Sequence, residues 1–445
     1  MLRRKKIRIG DHVLIEKSRK RYFGMLMPKP EFGDPGTIVI KLDNGYNVGF
    51  DVKGLKISKA KFEEPESVEE EMRYELGKTS KSLLKVDFDP RKPKVALIST
   101  GGTIISRVDY RTGGVYAVEN PKELLHNVPE LSKIVNLKMS NPLNKMSEDF
   151  DPSDWVSLAK HVARELNSGK KGVIITHGTD TLHYTSAALS FFLKGLRKPV
   201  VLVGAQRSSD RGSSDAGMNL VCASHAALSN IGEVGICMHG STNDDYCLFI
   251  RGTHARKMDS ERRDAFRSIN EYPLAEVWPD GRIEMKNRNY KKRKDNTKVK
   301  VDSKFEPKIA ILKVYPGADP DVINYYVSKS YKGFVIEATG LGHVPTNGKN
   351  EWISTIKKHT ANGIPFVTTL QTIYGRINTN VYTNLRILYR DAGAIPGDNM
   401  LTEVAFVKLG WILGHTKNME EIKRMISTNY AGEITKRTLA GHFLY

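Results

Sequence analysis

Cysteine is scarce in this chain. Its three cysteines (Cys222, Cys237 and Cys247) among 445 residues have no metal-ligand spacing, and three cannot all be paired. They predict reduced side chains in a cytoplasmic protein and no metal site. No apolar run approaches the roughly 20 residues that span a bilayer, so no membrane partner is expected. The opening Met1-Leu-Arg-Arg-Lys-Lys-Ile-Arg8 lacks the apolar core of a secretory signal. No Gly-x4-Gly-Lys-Ser/Thr loop is present to cradle ATP phosphates. There is no internal repeat, and no low-complexity tract beyond one basic stretch. Together these absences exclude membrane-spanning, disulfide-framed, zinc-dependent and P-loop classes.

What is present is a charge-rich chain, 40% hydrophobic, with a formal net charge of +19. The length predicts two or three domains. The excess of basic side chains fits work beside RNA, where cations displace counterions from phosphates. A well-solvated surface accounts for it equally well.

Residues 1–59 read as a small β-barrel. Short alternating runs, Ile7–Ile15, Tyr22–Met27, Thr37–Leu42 and Tyr46–Phe50, surround Asp43-Asn44-Gly45, a hairpin signal because Asn and Gly tolerate positive φ. Residues 60–93 form an acidic, proline-marked connector, partly helical. From Lys94 strands and helices alternate. Strands are expected at Val95–Ser99, Ile134–Met139, Val173–Thr176, Val200–Val203 and Val234–Met238, with a helix near Leu124 and others at Asp151–Asn167, Leu182–Leu193 and Asp215–Leu228. This predicts a doubly wound parallel sheet over residues 94–285. Residues 286–306 are a basic stretch, read as a solvated interdomain linker in preference to a phosphate-binding patch. Residues 307–445 form a second, smaller α/β domain, with strands at Ile309–Val314, Gly333–Glu337 and Pro365–Thr369 and a helix at Glu403–Leu413.

Two stretches organise the rest, Val95-Ala-Leu-Ile-Ser-Thr-Gly-Gly-Thr-Ile104 and Gly172-Val-Ile-Ile-Thr-His-Gly-Thr-Asp-Thr181. Each is a buried-strand run that ends in glycine and threonine, the pattern of a strand delivering polar groups to a site at its carboxyl end. In the five-strand order 2-1-3-4-5 the first and third strands are neighbours, and ligands bind where their connections diverge. Thr103 and Thr179–Asp180 would then face one another across a crevice. A threonine hydroxyl attacks only once its proton is removed, and a lysine serves as base only if its surroundings favour the neutral amine. Lys257, after the fifth strand and a hairpin, is the candidate lysine. Taken singly, Thr179 and Asp180 also suit helix capping, and Lys257 suits a surface charge. His177 reads as structural.

Thr100-Gly-Gly-Thr103, His177-Gly-Thr-Asp-Thr181 and Pro199-Val-Val-Leu-Val-Gly-Ala-Gln206 together resemble the bacterial-type L-asparaginase/glutaminase family, over about residues 94–430. The resemblance implies the two-domain α/β fold already inferred. It implies Thr103 as the nucleophile that forms an acyl-enzyme, and Thr179, Lys257 and Asp180 as a second triad that assists proton transfer. Arg256 before Lys257, and Asp264-Ala-Phe266 after it, match the family's spacing. Asp180 would also hold the substrate's α-ammonium group. Ser147 and Glu148 fall where the family binds the substrate carboxylate and amine. Asparaginases usually carry Ser-Gln there, so Glu148 departs from simple asparaginase specificity. Tyr116, in preference to Tyr110, matches the mobile-loop tyrosine.

The amino-terminal unit, with Leu26-Met-Pro-Lys-Pro30 and Ile38-Val-Ile-Lys-Leu-Asp-Asn-Gly-Tyr46, resembles one branch of that family, the GatD chains of archaeal-type glutamyl-tRNA(Gln) amidotransferases. Ser147-Glu-Asp149, Glu337-Ala-Thr-Gly-Leu-Gly-His343 and Tyr374-Gly-Arg376 resemble it too. That branch implies ammonia release from glutamine, with asparagine as a second donor. An E-type partner (GatE) would use ATP and Mg to turn Glu-tRNA(Gln) into Gln-tRNA(Gln). It implies a homodimer within an α2β2 heterotetramer and no cofactor on this chain. A stand-alone L-asparaginase/glutaminase and a non-catalytic RNA-binding scaffold are the alternatives.

Overall fold

The computed structural model describes residues 2, 5–18, 20–28, 36–42, 47–60, 89–101, 104, 106–108, 115–117, 128–207, 213–347 and 351–445. The Asp43-Asn44-Gly45 turn, most of the connector and the helix expected at Leu124 lie outside the described residues.

The first unit is an antiparallel sheet of five strands, β1 (His12–Lys17), β2 (Lys20–Leu26), β3 (Thr37–Lys41), β4 (Asn47–Asp51) and β5 (Lys56–Lys59), in the order β4-β3-β2-β1-β5. Period-two alternation turns Val13, Ile15, Leu26, Ile40, Phe50 and Ile57 into a single core shared by all five strands. β5 was not expected, because four residues with one buried apolar side chain give too short a pattern to read. Among the described residues no ladder joins β4 to β5. A Lys17 Nζ–Asp51 O hydrogen bond of 2.7 Å links β1 to the end of β4.

The second unit runs β6 (Lys94–Ser99), a β7 (Ser106–Val108)–β8 (Val115–Ala117) hairpin, α1 (Glu130–Ile134), β9 (Asn136–Ser140), α2 (Pro152–Asn167), β10 (Val173–Thr176), α3 (Leu182–Phe192), β11 (Leu193–Lys194), β12 (Val200–Val203), α4 (Ala216–Leu228) and β13 (Val234–His239). Strands β14 (Cys247–Arg251), β15 (Ala255–Lys257), β16 (Phe266–Ser268), β17 (Ala275–Val277) and β18 (Ile283–Met285) follow. The main sheet has the order β18-β17-β14-β13-β12-β10-β6-β9. Its parallel part, β13-β12-β10-β6-β9, is the 2-1-3-4-5 arrangement in mirror listing. β14, β17 and β18 extend it antiparallel. Alternate residues feed two cores: Ala96, Ile98, Val173 and Ile175 on one face, Val95, Leu97 and Ile174 on the other. Covered faces on both sides explain the unbroken apolar runs.

After β19 (Lys300–Val301), which pairs with β11, the third unit comprises β20 (Ile309–Lys313), α5 (Asp321–Ser328), β21 (Gly333–Ala338), α6 (Trp352–Ala361), β22 (Phe366–Leu370), α7 (Thr383–Arg386), β23 (Ile395–Pro396), α8 (Thr402–Leu413) and α9 (Met419–Ser427). Its four strands are parallel, β20-β21-β22-β23. Helix α3 is apolar nearly all round because the main sheet covers one side and α8 the other. One core therefore runs from the main sheet through α3 and α8 into the smaller sheet, and the two α/β units share it.

The stretch 286–306 differs from the solvated linker expected. Most of its lysines face solvent, but Val299 is buried and the backbone of the stretch is pinned: Gly232 N donates to Lys291 O (2.7 Å), Arg293 N to Asn230 O (3.0 Å) and Lys294 N to Arg197 O (2.9 Å). Backbone amides laid against a folded surface need partners, and the turns before β12 and β13 supply them.

Candidate active site

β6 and β10 lie side by side with Ser99 opposite Thr176, and their following connections leave in opposite directions. Thr100 fastens the two strand ends: its amide and its hydroxyl both donate to Thr176 O, at 3.1 and 2.9 Å. Beyond it the chain turns sharply at Gly101 (φ +107°), where a Cβ would lie 2.3 Å from Lys145 O. Lys145 N in turn donates to Thr100 O (3.0 Å), and Lys145 Nζ reaches both oxygens of Asp154 at 2.9 Å. Asp154 also completes the capping box that starts α2 at Asp151. The segment after β9 is thus drawn to the ends of β6 and β10.

That segment delivers Ser147. The serine is buried against Gly178, where a Cβ would sit 2.7 Å from both Ser147 Cβ and Oγ. Thr181 Oγ1 donates to Ser147 O at 2.5 Å. Glu148 is exposed on the same turn of 3₁₀ helix, Ser147–Asp149.

Lys257, on β15, joins the two residues of the second motif. Its Nζ donates to Thr179 Oγ1 at 2.9 Å and to Asp180 Oδ1 at 2.8 Å. Thr179 Oγ1 donates onward to Gln206 Oε1 at 3.2 Å. The lysine side chain is 11% exposed and that of Asp180 63%, so the carboxylate meets solvent while the lysine and Thr179 stand behind it. A buried hydroxyl with lysine on one side and a carboxamide on the other can pass a proton. An exposed carboxylate beside it can hold a cationic substrate group.

Two neighbours, Gln206 and Arg256, fix this arrangement, and only their partners show why. Gln206 closes the Pro199–Gln206 run, whose sequence alone assigns it no role; its amide N and that of Arg207 donate to the Asp215 carboxylate just before α4. Its Nε2 is buried without a hydrogen-bond partner. Arg256, beside Lys257, is ion-paired with Glu403 in the first turn of α8. No local pattern could connect those two, 147 residues apart. His183 lies 3.9 Å from Glu403. Burial, with the cations Arg256 and Lys257 nearby, lowers its pKa to about 3.

His177 is fully buried and neutral. Trp155 Nε1 donates to Thr185 Oγ1 (3.1 Å), the threonine proton faces His177 Nε2 (2.9 Å), and Nδ1–H donates to Gly178 O (2.7 Å). Burial lowers its pKa to about 4. Of the other expected site residues, Thr103 lies outside the described residues. Tyr116 stands on β8 opposite Arg107, with its side chain outside the description. Among the described residues no group of three or more His, Cys, Asp or Glu side chains is set to hold a metal, and no helix is long and apolar enough to cross a membrane.

Residues 94–291 match the family described as Asparaginase, N-terminal, and residues 308–426 the Glutaminase/Asparaginase C-terminal domain. Residues 7–59 match the GatD N-terminal domain. The glutamyl-tRNA(Gln) amidotransferase D chain of Pyrococcus abyssi is 48% identical over 441 residues, covering 98% of this chain and 97% of that one. This chain belongs to the GatD family. Its relative from Methanothermobacter thermautotrophicus, of the same description, is 44% identical over 437 residues, 98% of this chain and 96% of that one. Among solved structures, the L-asparaginase of Thermococcus kodakarensis superposes with a TM-score of 0.69 at 30% identity, covering 77% of this chain and all of that one. L-asparaginase I of Vibrio cholerae gives 0.68 at 28%, covering 77% and 99%. The GatD family therefore adds to an asparaginase-like two-domain fold a β-rich unit that the match to residues 7–59 identifies.

Proposed function

We propose that this chain is the glutamine-hydrolysing, ammonia-supplying component of a glutamyl-tRNA(Gln) amidotransferase. The observation that carries the reading is Lys257 bonded to both Thr179 and Asp180 at the switch point of an asparaginase-type sheet, in a chain that matches GatD relatives from end to end. In this reading Thr103 Oγ attacks the side-chain carboxamide carbon of glutamine. The C–N bond breaks, the nitrogen takes a proton and leaves as ammonia, and a glutamyl ester remains on Thr103. Water then attacks the ester and releases glutamate. Thr179 and Lys257 relay protons between the threonine, the leaving nitrogen and the water. Asp180 holds the α-ammonium group, with Ser147 and Glu148 around the α-carboxylate and amine and Tyr116 covering the site.

The other half of the reaction belongs to an E-type partner (GatE) that uses ATP and Mg to activate Glu-tRNA(Gln) and capture the ammonia, so this chain carries no cofactor. Two copies of each chain, in the cytoplasm, complete the assembly. The asparaginase alternative is disfavoured by the amino-terminal unit and by the acidic Glu148. The test is ammonia release from glutamine by Thr103→Ala and Lys257→Met chains. A loss of about two to four orders of magnitude in both is expected. Full ammonia release by Thr103→Ala would sink the threonine mechanism.

A further inference from the structure

The basic stretch is not consumed by the fold. Its backbone is fixed along the amino ends of the parallel strands: besides the bonds to residues 197, 230 and 232, Val299 N donates to Asn167 Oδ1 (2.9 Å) and Lys300 pairs with Lys194 across the β11–β19 ladder. This rigid ledge presents Lys291, Lys292, Lys294, Lys298 and Lys300, all exposed, and the half-buried Arg197. Among the described residues none of the six is ion-paired. Two carboxylates beside the stretch are already engaged: Asp295 by Lys171 and Arg293, each at 2.7 Å, and Glu233 by the buried Arg251.

A fixed row of unneutralised cations repels itself, and an anion relieves that repulsion. The composition says which kind. Among the described residues no exposed large apolar side chain falls between residues 286 and 308. Protein interfaces have an apolar, aromatic centre and few lysines. A lysine-rich surface without one suits phosphates held as point charges, with no base readout. The ledge is at the opposite end of β10 from Thr176, and four residues at ~3.3 Å each put it roughly 13 Å from that strand end. An occupant there leaves the glutamine site open.

We propose that this ledge docks the sugar-phosphate backbone of RNA, as an auxiliary contact for tRNA that reads no sequence. The assignment rests on the amidotransferase reading for its choice of RNA. The experiment titrates a full-length unmodified tRNA against the full chain between about 50 and 200 mM salt, comparing the wild type with Lys292→Glu/Lys294→Glu/Lys298→Glu and with the same three lysines changed to arginine. Ammonia release and thermal midpoint report that each variant is folded. The glutamate triple is expected to bind at least about tenfold more weakly and to lose roughly two to three from the slope of log affinity against log salt, while the arginine triple binds like wild type. Salt-sensitive wild-type binding that the glutamate triple leaves unchanged would overturn the ledge alone. Unchanged RNA binding with lost association to the E-type partner would reassign the ledge to an acidic protein surface. No salt-sensitive binding by the wild type would overturn the ledge while leaving the amidotransferase reading to its own test, ammonia release from glutamine.

Discussion

Arg256 and Glu403 form an ion pair across the seam between the two α/β units, one residue from the lysine that bonds Thr179 and Asp180. The smaller unit thereby has a direct hold on the strand that carries Lys257. Glu403→Gln weakens that hold without changing size. It is expected to lower kcat for glutamine hydrolysis by roughly tenfold, with a smaller change in KM, because the lysine loses orientation while the substrate-holding groups stay in place. Glu403→Asp should recover part of the loss. Steady-state kinetics decide it, and a change confined to KM would contradict a positioning role.

Gly178 leaves no room for a side chain beside Ser147. Gly178→Ala must push the Ser147 turn outward, and Glu148 with it. KM for glutamine should rise by about tenfold or more, with a stability loss of about 1–3 kcal/mol from overpacking the buried contact with Ser147. Unchanged KM would remove Ser147 and Glu148 from the substrate's surroundings.

Two buried histidines make the fold sensitive to mild acid. His177 and His183 take up protons only near pH 4 and 3 when folded, against 6.5 ordinarily. Below about 6.5 the unfolded chain binds protons that the folded one does not, so stability falls as pH drops through the window from about 6.5 to 4. At about pH 5 each costs on the order of 2 kcal/mol. Urea midpoints at about pH 7.5 and 5 measure the loss, and His183→Gln should flatten the dependence by about one proton. A variant with the full wild-type slope would contradict the assignment.

Much of the site was legible because buried parallel strands announce themselves. Val95–Ser99 and Val173–Thr176 are apolar without a break, and the glycines and threonines that follow mark their carboxyl ends. Order along the chain then placed the first and third strands together, as Thr100 and Thr176 now show. What could not be read was everything that depends on distant partners. Glu403 looks like an ordinary first-turn acid until Arg256 is beside it. The basic run at 291–294 looks like a linker until Arg197, Asn230 and Gly232 are seen to hold its backbone. β5 is too short to announce itself, and α9 went unread although Asn418 caps it and Glu420 and Glu421 fill its first turn.

The measurement that bears most directly on the account is ammonia release from glutamine by the purified chain. It would be followed alone, with the E-type partner, and with partner, Glu-tRNA(Gln) and ATP together. Strong stimulation in the full mixture, abolished by Thr103→Ala, is the predicted result. Rapid hydrolysis of asparagine by the chain alone, indifferent to partner and tRNA, would contradict it and return the chain to the free-standing amidohydrolases.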